Sequence, residues 1–194
     1  MKFGQYLHDN KYPEWADQYL DYDALKKIIK SLEQATYNAG VKSPSDRAEK
    51  VSLTKSQPTN AKGVPDKATT VKTQEQFYAM LESEMRKIDD FTKKMVVHIT
   101  STLSKIEKEL QKNLKDKRKE HLQAEVDVAA KQFLHLEKFV NLNFTGFHKI
   151  LKKHDKRLPN PCKSFYISRL HEQGWVKGDH SAVIVLMSAV YSAL

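Results

Sequence analysis

The feature that most limits the possible folds is a pair of long stretches in which apolar residues recur every three or four positions. The first runs from Gln74 to about Lys119, and the second from Glu120 to Leu142. The apolar positions of the first are Phe77, Met80, Leu81, Met85, Ile88, Phe91, Met95, Ile99, Leu103, Ile106, Leu110 and Leu114. This spacing is typical of helices that bury one side in a bundle. Two such stretches joined by a short turn predict a hairpin of two long antiparallel helices.

The flanking segments also have helical patterns. Near the N-terminus we expect a helix from about Lys2 to Asn10, a turn at Lys11–Trp15, and a second helix from about Glu14 to Tyr37. After Pro161 we expect a short helix near Ser164–Leu170 and another from about His180, which Asp179 would cap. Alternating strand patterns are scarce, so the sequence predicts an all-α fold.

Residues from about 38 to 73 differ from the rest of the chain, because Ser, Thr, Pro, Lys and Gly dominate and large apolar residues are rare. This composition predicts a flexible loop inserted in a single domain that spans residues 1–194. The apolar pattern of the last helix continues to Leu194 without a cap. We therefore expect the chain to be the N-terminal fragment of a longer protein.

Composition excludes several classes of protein. No apolar run reaches the roughly 20 residues that a membrane-spanning helix needs, and the N-terminus lacks the apolar core of a signal peptide. A single cysteine, Cys162, excludes an intrachain disulfide and makes a reducing, cytosolic location the default. The histidines have no metal-ligand spacing and no nucleophile–base pair is evident, so we expect neither a metal site nor an enzyme.

The formal net charge of +9 favours anionic partners, and the densest positive charge lies between Lys149 and Arg157. Wound as an α-helix, this segment puts Lys153 and Lys156 within about 40° of Lys149, with Lys152 at about −60°. The opposite side carries three apolar residues: Phe147, Ile150 and Leu151. Like charges on one helical face repel each other, and a bound polyanion would offset that repulsion.

Two separated motifs carry most of the family information in the chain. The first comprises Met1-Lys2-Phe3-Gly4, Pro13-Glu14-Trp15 and Tyr22-Asp-Ala-Leu-Lys-Lys-Ile-Ile-Lys30, and the second is Leu142-Asn-Phe-Thr-Gly-Phe-His-Lys-Ile-Leu-Lys-Lys-His-Asp-Lys156. Together they resemble the motifs of the SPX domain family. The resemblance implies an N-terminal helical hairpin packed on a bundle with two long antiparallel helices and short C-terminal helices. It also implies a cytosolic sensor of inositol polyphosphates, especially inositol pyrophosphates, that reports phosphate status.

Carried over residue by residue, the resemblance implies a phosphate-binding cluster of Tyr22, Lys26 and Lys152. It implies a neighbouring lysine cluster of Lys149, Lys153 and Lys156, with Lys2 on the same basic surface. The resemblance implies no cofactor. By contrast, we expect Lys27 and Lys30 to face solvent or lie in an outer shell, and Asp155 to be a structural pair or cap.

Such domains are usually attached to transporters, polyphosphate polymerases or phosphodiesterases, so a regulated domain beyond Leu194 or a helical partner protein is expected. That places the domain in the cytoplasm or on the cytosolic face of a membrane. The alternative is a basic helical module that docks on anionic membrane, nucleic acid or a helical partner. Nucleic acid is disfavoured because no aromatic residues interleave with the lysines.

Overall fold

The computed structural model describes residues 2–38, 67–112, 115–178 and 180–194, with only the backbone for 67–70. Among these residues there is no strand, which confirms the predicted all-α fold. The helices are α1 (Phe3–Asn10), a 3₁₀ helix (Pro13–Gln18), α2 (Tyr22–Asn38), α3 (Lys67–Leu110), α4 (Asp116–Arg157), α5 (Lys163–Glu172), α6 (Gly174–Lys177) and α7 (Ser181–Ala193). None of the described helices is both long enough and apolar enough to cross a bilayer.

The helices form two compact units. The first unit comprises Met1–Asn10, Leu20–Arg86 and Phe144–His171, and the second comprises Lys11–Tyr19, Lys87–Asn143 and Glu172–Leu194. Each unit has its own buried apolar core. Fully buried members of the first include Leu20, Leu25, Ile29, Phe77, Leu81, Phe147, Ile150, Leu151 and Leu170, and those of the second include Ile99, Leu103, Leu122, Val126, Leu136 and Phe139.

The prediction of one helix from Glu14 to Tyr37 is wrong, because the chain is extended between the 3₁₀ helix and α2. Tyr19 has an extended backbone, with φ −71° and ψ 158°. Asp21 then starts α2, since its carboxylate accepts a 2.9 Å hydrogen bond from the backbone N–H of Ala24. This is the usual way in which an aspartate satisfies a free N–H group at a helix start.

The long helices are confirmed, but their ends differ from the prediction. Helix α3 begins at Lys67 and ends at Leu110, so the expected loop of 38–73 is helical in its last residues. The remainder of that loop, residues 39–66, lies outside the described part. In the second unit Phe91 contacts Phe139 and Glu109 contacts Arg118, which shows that α3 and α4 are antiparallel there.

The turn between these helices lies earlier than the predicted boundary at residues 119 and 120. Arg118 donates two hydrogen bonds of 2.7 Å to the carboxylate of Glu109, which ties the start of α4 to the end of α3. Asp116 in the first turn of α4 also suits the positive end of the helix dipole. Helix length alone could not locate these contacts, because the apolar pattern continues across the turn.

The two predicted C-terminal helices are confirmed as α5 and α7, and the structure adds the short helix α6 between them, which the sequence did not predict. The expected cap, Asp179, lies outside the described residues. His180 occupies the position before α7 and makes no side-chain capping bond there. Its Nδ1 atom instead lies 2.6 Å from Oε1 of Glu137, a contact inside the second unit.

Candidate anion-binding site

Two helices of the first unit each bury an apolar stripe and expose a charged one. Helix α2 buries Leu25, Ile29 and Leu32, and exposes Asp23, Lys26, Lys27 and Lys30 at the complementary i, i+3, i+4 and i+7 positions. Helix α4 buries Phe147, Ile150 and Leu151 with no exposed surface. Its lysines are therefore held on the other side, as the helical spacing predicted.

A glycine in α4 allows the N-terminal segment to approach this helix closely. A Cβ atom on Gly146 would lie 2.8 Å from Cδ2 of Leu20 and 3.6 Å from Cε1 of Phe3, so a larger residue would force these side chains away. The ring of Phe3 in turn meets the ring of Tyr22 edge-on, with centroids 5.2 Å apart. The close packing brings α1, α2 and the basic end of α4 together.

Where these three helices meet there is a cleft of about 350 Å³, here called the first cleft. Its lining residues are Lys2, Phe3, Gly4, Gln5, His8, Tyr22, Asp23, Lys26 and Lys153. Four of the residues implied by the resemblance therefore converge, although Lys2 and Lys153 are about 150 positions apart in the sequence. The cleft combines ammonium groups, one phenol and one carboxylate.

The structure changes one detail of the expected arrangement. Lys153, rather than Lys152, lines the first cleft with Tyr22 and Lys26. Lys149, Lys152 and Lys156 are exposed on α4 and are not among the residues that line this cleft. They enlarge the basic surface beside it, but the structure gives them no contact with Tyr22 or Lys26.

Two pKa shifts describe the electrostatics of the first cleft. The pKa of Lys153 is lowered, first by burial and then by the positive charges of Arg157 and Lys26. The pKa of the Tyr22 phenol is raised, first by burial and then by the charge of Asp23. Tyr22 is therefore a neutral hydrogen-bond donor at physiological pH, and Lys153 lies in a positive field that an anion would relieve.

A second cleft, of about 520 Å³, lies beside the first. It is lined by Asp23, Lys26, Lys27, Lys30, Lys153 and Arg157. Sequence reasoning missed Arg157 and placed Lys27 and Lys30 outside the site. The helical spacing of Lys27 and Lys30 from Asp23 and Lys26 could have placed both lysines on the same side of α2. The residues of α4 that face them could not be inferred from that spacing.

Three residues of the second cleft already have ionic partners: Asp23 and Lys26 pair with each other at 3.4 Å, and Arg157 pairs with Glu33. Arg157 lies 2.5 Å from Oε2 of Glu33 through its Nη1 atom, and the two side chains are 41% and 36% exposed. This pair joins the end of α4 to α2. It also fixes the guanidinium at the rim of the second cleft, where part of it remains accessible.

Behind the lysine face, the end of α4 is fastened to the start of α5. The Asp155 carboxylate accepts hydrogen bonds from the backbone N–H groups of Cys162 and Lys163, at 2.8 and 3.1 Å. Asp155 is thus a cap, as expected from the sequence. Nδ1 of His154 lies 3.3 Å from Sγ of Cys162 and 3.2 Å from Oδ1 of Asp155.

His154, Asp155 and Cys162 have ligand atoms within 4.8 Å of one another, a grouping that could hold a metal ion and that the sequence did not predict. Their mutual hydrogen bonds already account for the arrangement. Burial raises the pKa of the Cys162 thiol to about 12, which opposes the thiolate form that a metal requires. We interpret this cluster as structural.

Comparison with known proteins agrees with the family suggested by the two motifs. The family model described as "SPX domain" matches residues 1–62 and 131–170, which is more than half of the chain. The chain belongs to the SPX domain family. Membership of this family makes it a regulatory domain rather than a catalytic one.

Two similar proteins show that SPX sequences of this kind occur within longer chains. Solute carrier family 53 member 1 of Homo sapiens is 29% identical over 187 residues, which cover 81% of this chain and 24% of that protein. Vacuolar transporter chaperone complex subunit 2 of Saccharomyces cerevisiae is 26% identical over 198 residues, covering 100% of this chain and 21% of that protein. The chain thus spans about a quarter or less of these relatives.

A solved structure supports the fold. It is the SPX domain of Chaetomium thermophilum Glycerophosphodiester Phosphodiesterase 1 in complex with inositol hexakisphosphate. The TM-score is 0.73 with 24% sequence identity, and the match covers 100% of this chain and 97% of that one. At this identity the similarity establishes a shared architecture.

Proposed function

We propose that this SPX domain is a cytosolic sensor that binds inositol polyphosphates, including inositol pyrophosphates, and so reports cellular phosphate status. The proposed ligand-binding residues are Lys2, Tyr22, Lys26, Lys149, Lys152, Lys153 and Lys156. The observation that carries the proposal is the convergence on the first cleft of Lys2, which directly precedes α1, with Tyr22 and Lys26 of α2 and Lys153 of α4.

The chemistry of the first cleft suits a compact ligand that bears many phosphates. Lysine ammonium groups are point charges with rotatable donors, so they accept phosphates in several orientations. The neutral Tyr22 hydroxyl can donate to a phosphate oxygen without adding charge. The exposed Lys149, Lys152 and Lys156 extend the positive field and would increase the rate of ligand capture.

The solved SPX domain with inositol hexakisphosphate supports this choice of ligand, since the two chains share a fold along their whole length. The relatives support the broader role. Their names describe a solute carrier and a subunit of a transporter chaperone complex, and each continues far beyond the matched region. We infer that residues 1–194 act as one sensor domain that regulates an attached transporter, a polymerase or a partner protein.

Calorimetric titration tests the proposal. Inositol hexakisphosphate and a diphosphoinositol pentakisphosphate should give saturable binding, whereas a short DNA duplex and vesicles with anionic lipid should bind weakly and without a defined stoichiometry. Tight binding to DNA or vesicles, with no saturable binding of either inositol phosphate, would replace the proposed function with that of a basic docking module.

A further inference from the structure

The second cleft differs from the first in the chemistry of its walls. The first is lined partly by Phe3, Gly4 and Tyr22, which supply carbon surface and a hydroxyl group. Every residue that lines the second carries a charged side chain, and five of the six are cationic. The second cleft therefore suits an anion held by charge, such as a phosphate group, whereas the first adds the Tyr22 hydroxyl and the Phe3 ring.

The two clefts are not independent, because they share three lining residues. Asp23, Lys26 and Lys153 line both. An anion bound at Lys26 and Lys153 therefore already touches the edge of the second cleft. Two separate polyanions placed in both clefts would bring their charges close together across the same lysines, so one extended ligand is favoured over two.

The cationic side chains that line the second cleft come from two helices. Lys26, Lys27 and Lys30 project from consecutive turns of α2, and Lys153 and Arg157 are one turn apart on α4. The ion pair between Arg157 and Glu33 links the two helices at the far end of the cleft. The cleft is thus lined by residues of two helices, α2 and α4, which this ion pair joins.

On the basis of the proposed function, we infer that the second cleft is a subsite that takes a phosphate group extending beyond the inositol ring. The terminal phosphate of a diphosphate group has this character. Lys27, Lys30 and Arg157 would then distinguish a pyrophosphorylated ligand from inositol hexakisphosphate. The residues of the first cleft would bind the portion that the two ligands have in common.

The test compares the double variant Lys27→Ala/Lys30→Ala with wild-type protein by calorimetry, using inositol hexakisphosphate, a diphosphoinositol pentakisphosphate and tripolyphosphate. Both lysines are exposed, and alanine is a better helix former, so the variant should fold. Lys105→Ala/Lys108→Ala is a matched control, since these exposed lysines of α3 have the same i, i+3 spacing and belong to the second unit.

We expect affinity for the diphosphoinositol to fall about tenfold or more, and affinity for inositol hexakisphosphate to fall less than about threefold. The loss of selectivity should persist at an ionic strength of about 0.3 M, where the remote field of these lysines is screened. The control variant should keep the wild-type ratio of the two affinities.

Equal losses for the two inositol phosphates, or losses no larger than those of the control, would overturn the subsite while leaving the proposed function intact. The same conclusion would follow if only tripolyphosphate binding were lost, because the cleft would then be a separate site for linear phosphate. If the wild-type protein bound neither inositol phosphate, the proposed function itself would fail, and the subsite with it.

Discussion

The last turns of α4 have two sides of opposite character within the same unit. On the inner side, the Asp155 carboxylate accepts backbone hydrogen bonds from Cys162 and Lys163, and the His154 side chain is fully buried. On the outer side, Lys149, Lys152 and Lys156 are exposed and form no ion pair within the described part of the chain. Consecutive residues of one helix thus serve different purposes.

The difference shows how a structural polar cluster can be separated from a ligand site. The Asp155 carboxylate and Nδ1 of His154 have hydrogen-bond partners within the protein, as most buried polar groups do, although Nε2 of His154 has none. The outer lysines leave their donors available and repel one another, which costs stability unless an anion is bound. A substitution on the inner side should therefore change stability, and one on the outer side should change binding.

The largest expected effect belongs to Lys153, because it lines both clefts. Lys153→Ala should weaken binding of inositol hexakisphosphate by about 10- to 100-fold, since a hydrogen bond to a charged group contributes about 1.5–3 kcal/mol before screening. Lys156→Ala should weaken it less, because Lys156 lines neither cleft. Calorimetry measures both, with helical content checked by circular dichroism.

Lys105→Ala is the control for the general loss of one positive charge. If Lys156→Ala weakened binding as much as Lys153→Ala, affinity would depend on the basic surface as a whole, and the first cleft would not be the centre of the site. If neither variant differed from Lys105→Ala, both residues would be removed from the site.

On the inner side, Asp155→Ala should reduce the free energy of unfolding by about 1–2 kcal/mol, the usual cost of losing a helix cap. The backbone N–H groups of Cys162 and Lys163 would lose their acceptor. Affinity for inositol hexakisphosphate, measured well below the melting temperature, should stay within about twofold of wild type. A tenfold change in affinity with unchanged stability would reverse the assignment of the two sides.

The sequence predicted the outer side well, because helical spacing determines which lysines are opposite Phe147, Ile150 and Leu151. It predicted the convergence of the N-terminal motif with α4 through family resemblance. The assignment of Lys152 rather than Lys153 to the cleft with Tyr22 came from matching motifs. Which of two adjacent lysines points at a neighbour depends on the rotation of α4 against α2, and that is a tertiary property.

Other differences have the same cause. The break at Tyr19 and the turn after Leu110 lie in segments whose apolar pattern is compatible with continuous helix. A contact distant in sequence accompanies the break at Tyr19, namely the 2.7 Å hydrogen bond from the Asp21 backbone N–H to Glu84, and the Arg118–Glu109 pair accompanies the turn after Leu110. The grouping of His154 and Asp155 with Cys162 likewise depends on the path of the chain through Pro159 and Pro161, which spacing does not reveal.

A smaller effect on the inner side should depend on pH. Burial lowers the pKa of His154 below its ordinary value of 6.5, so the unfolded chain binds a proton that the folded protein does not. The free energy of unfolding should therefore fall as the pH falls below about 6.5, by at most about 1.4 kcal/mol per pH unit for this group. Above that pH, His154 should add no slope.

Urea unfolding between pH 7 and pH 5 measures the slope. His154→Phe, which retains an aromatic ring against Phe77, should flatten it, whereas His98→Gln on an exposed part of α3 should not. His148 also has a pKa lowered by burial and contributes in the same direction. An unchanged slope in His154→Phe would assign the pH dependence to other groups.

The smallest expected effect concerns Asp23, where the requirements of the fold and the ligand oppose each other. Its Oδ1 atom lies 3.4 Å from Nζ of Lys26, and its side chain is 66% exposed. It lines both clefts and lies in the first turn of α2. A carboxylate there stabilises the helix through its dipole but repels a phosphate.

Asp23→Asn should therefore raise affinity for inositol hexakisphosphate by about two- to fivefold and lower the free energy of unfolding by a few tenths of a kcal/mol, about the size expected for an exposed charge. The gain in affinity should shrink as salt is added. Asp90→Asn, an exposed aspartate of α3, is the control. A fall in affinity would mean that Asp23 orients Lys26 toward the ligand. The Asp23 carboxylate would then have a structural role like that of Asp155 on the inner side of α4, even though Asp23 is exposed.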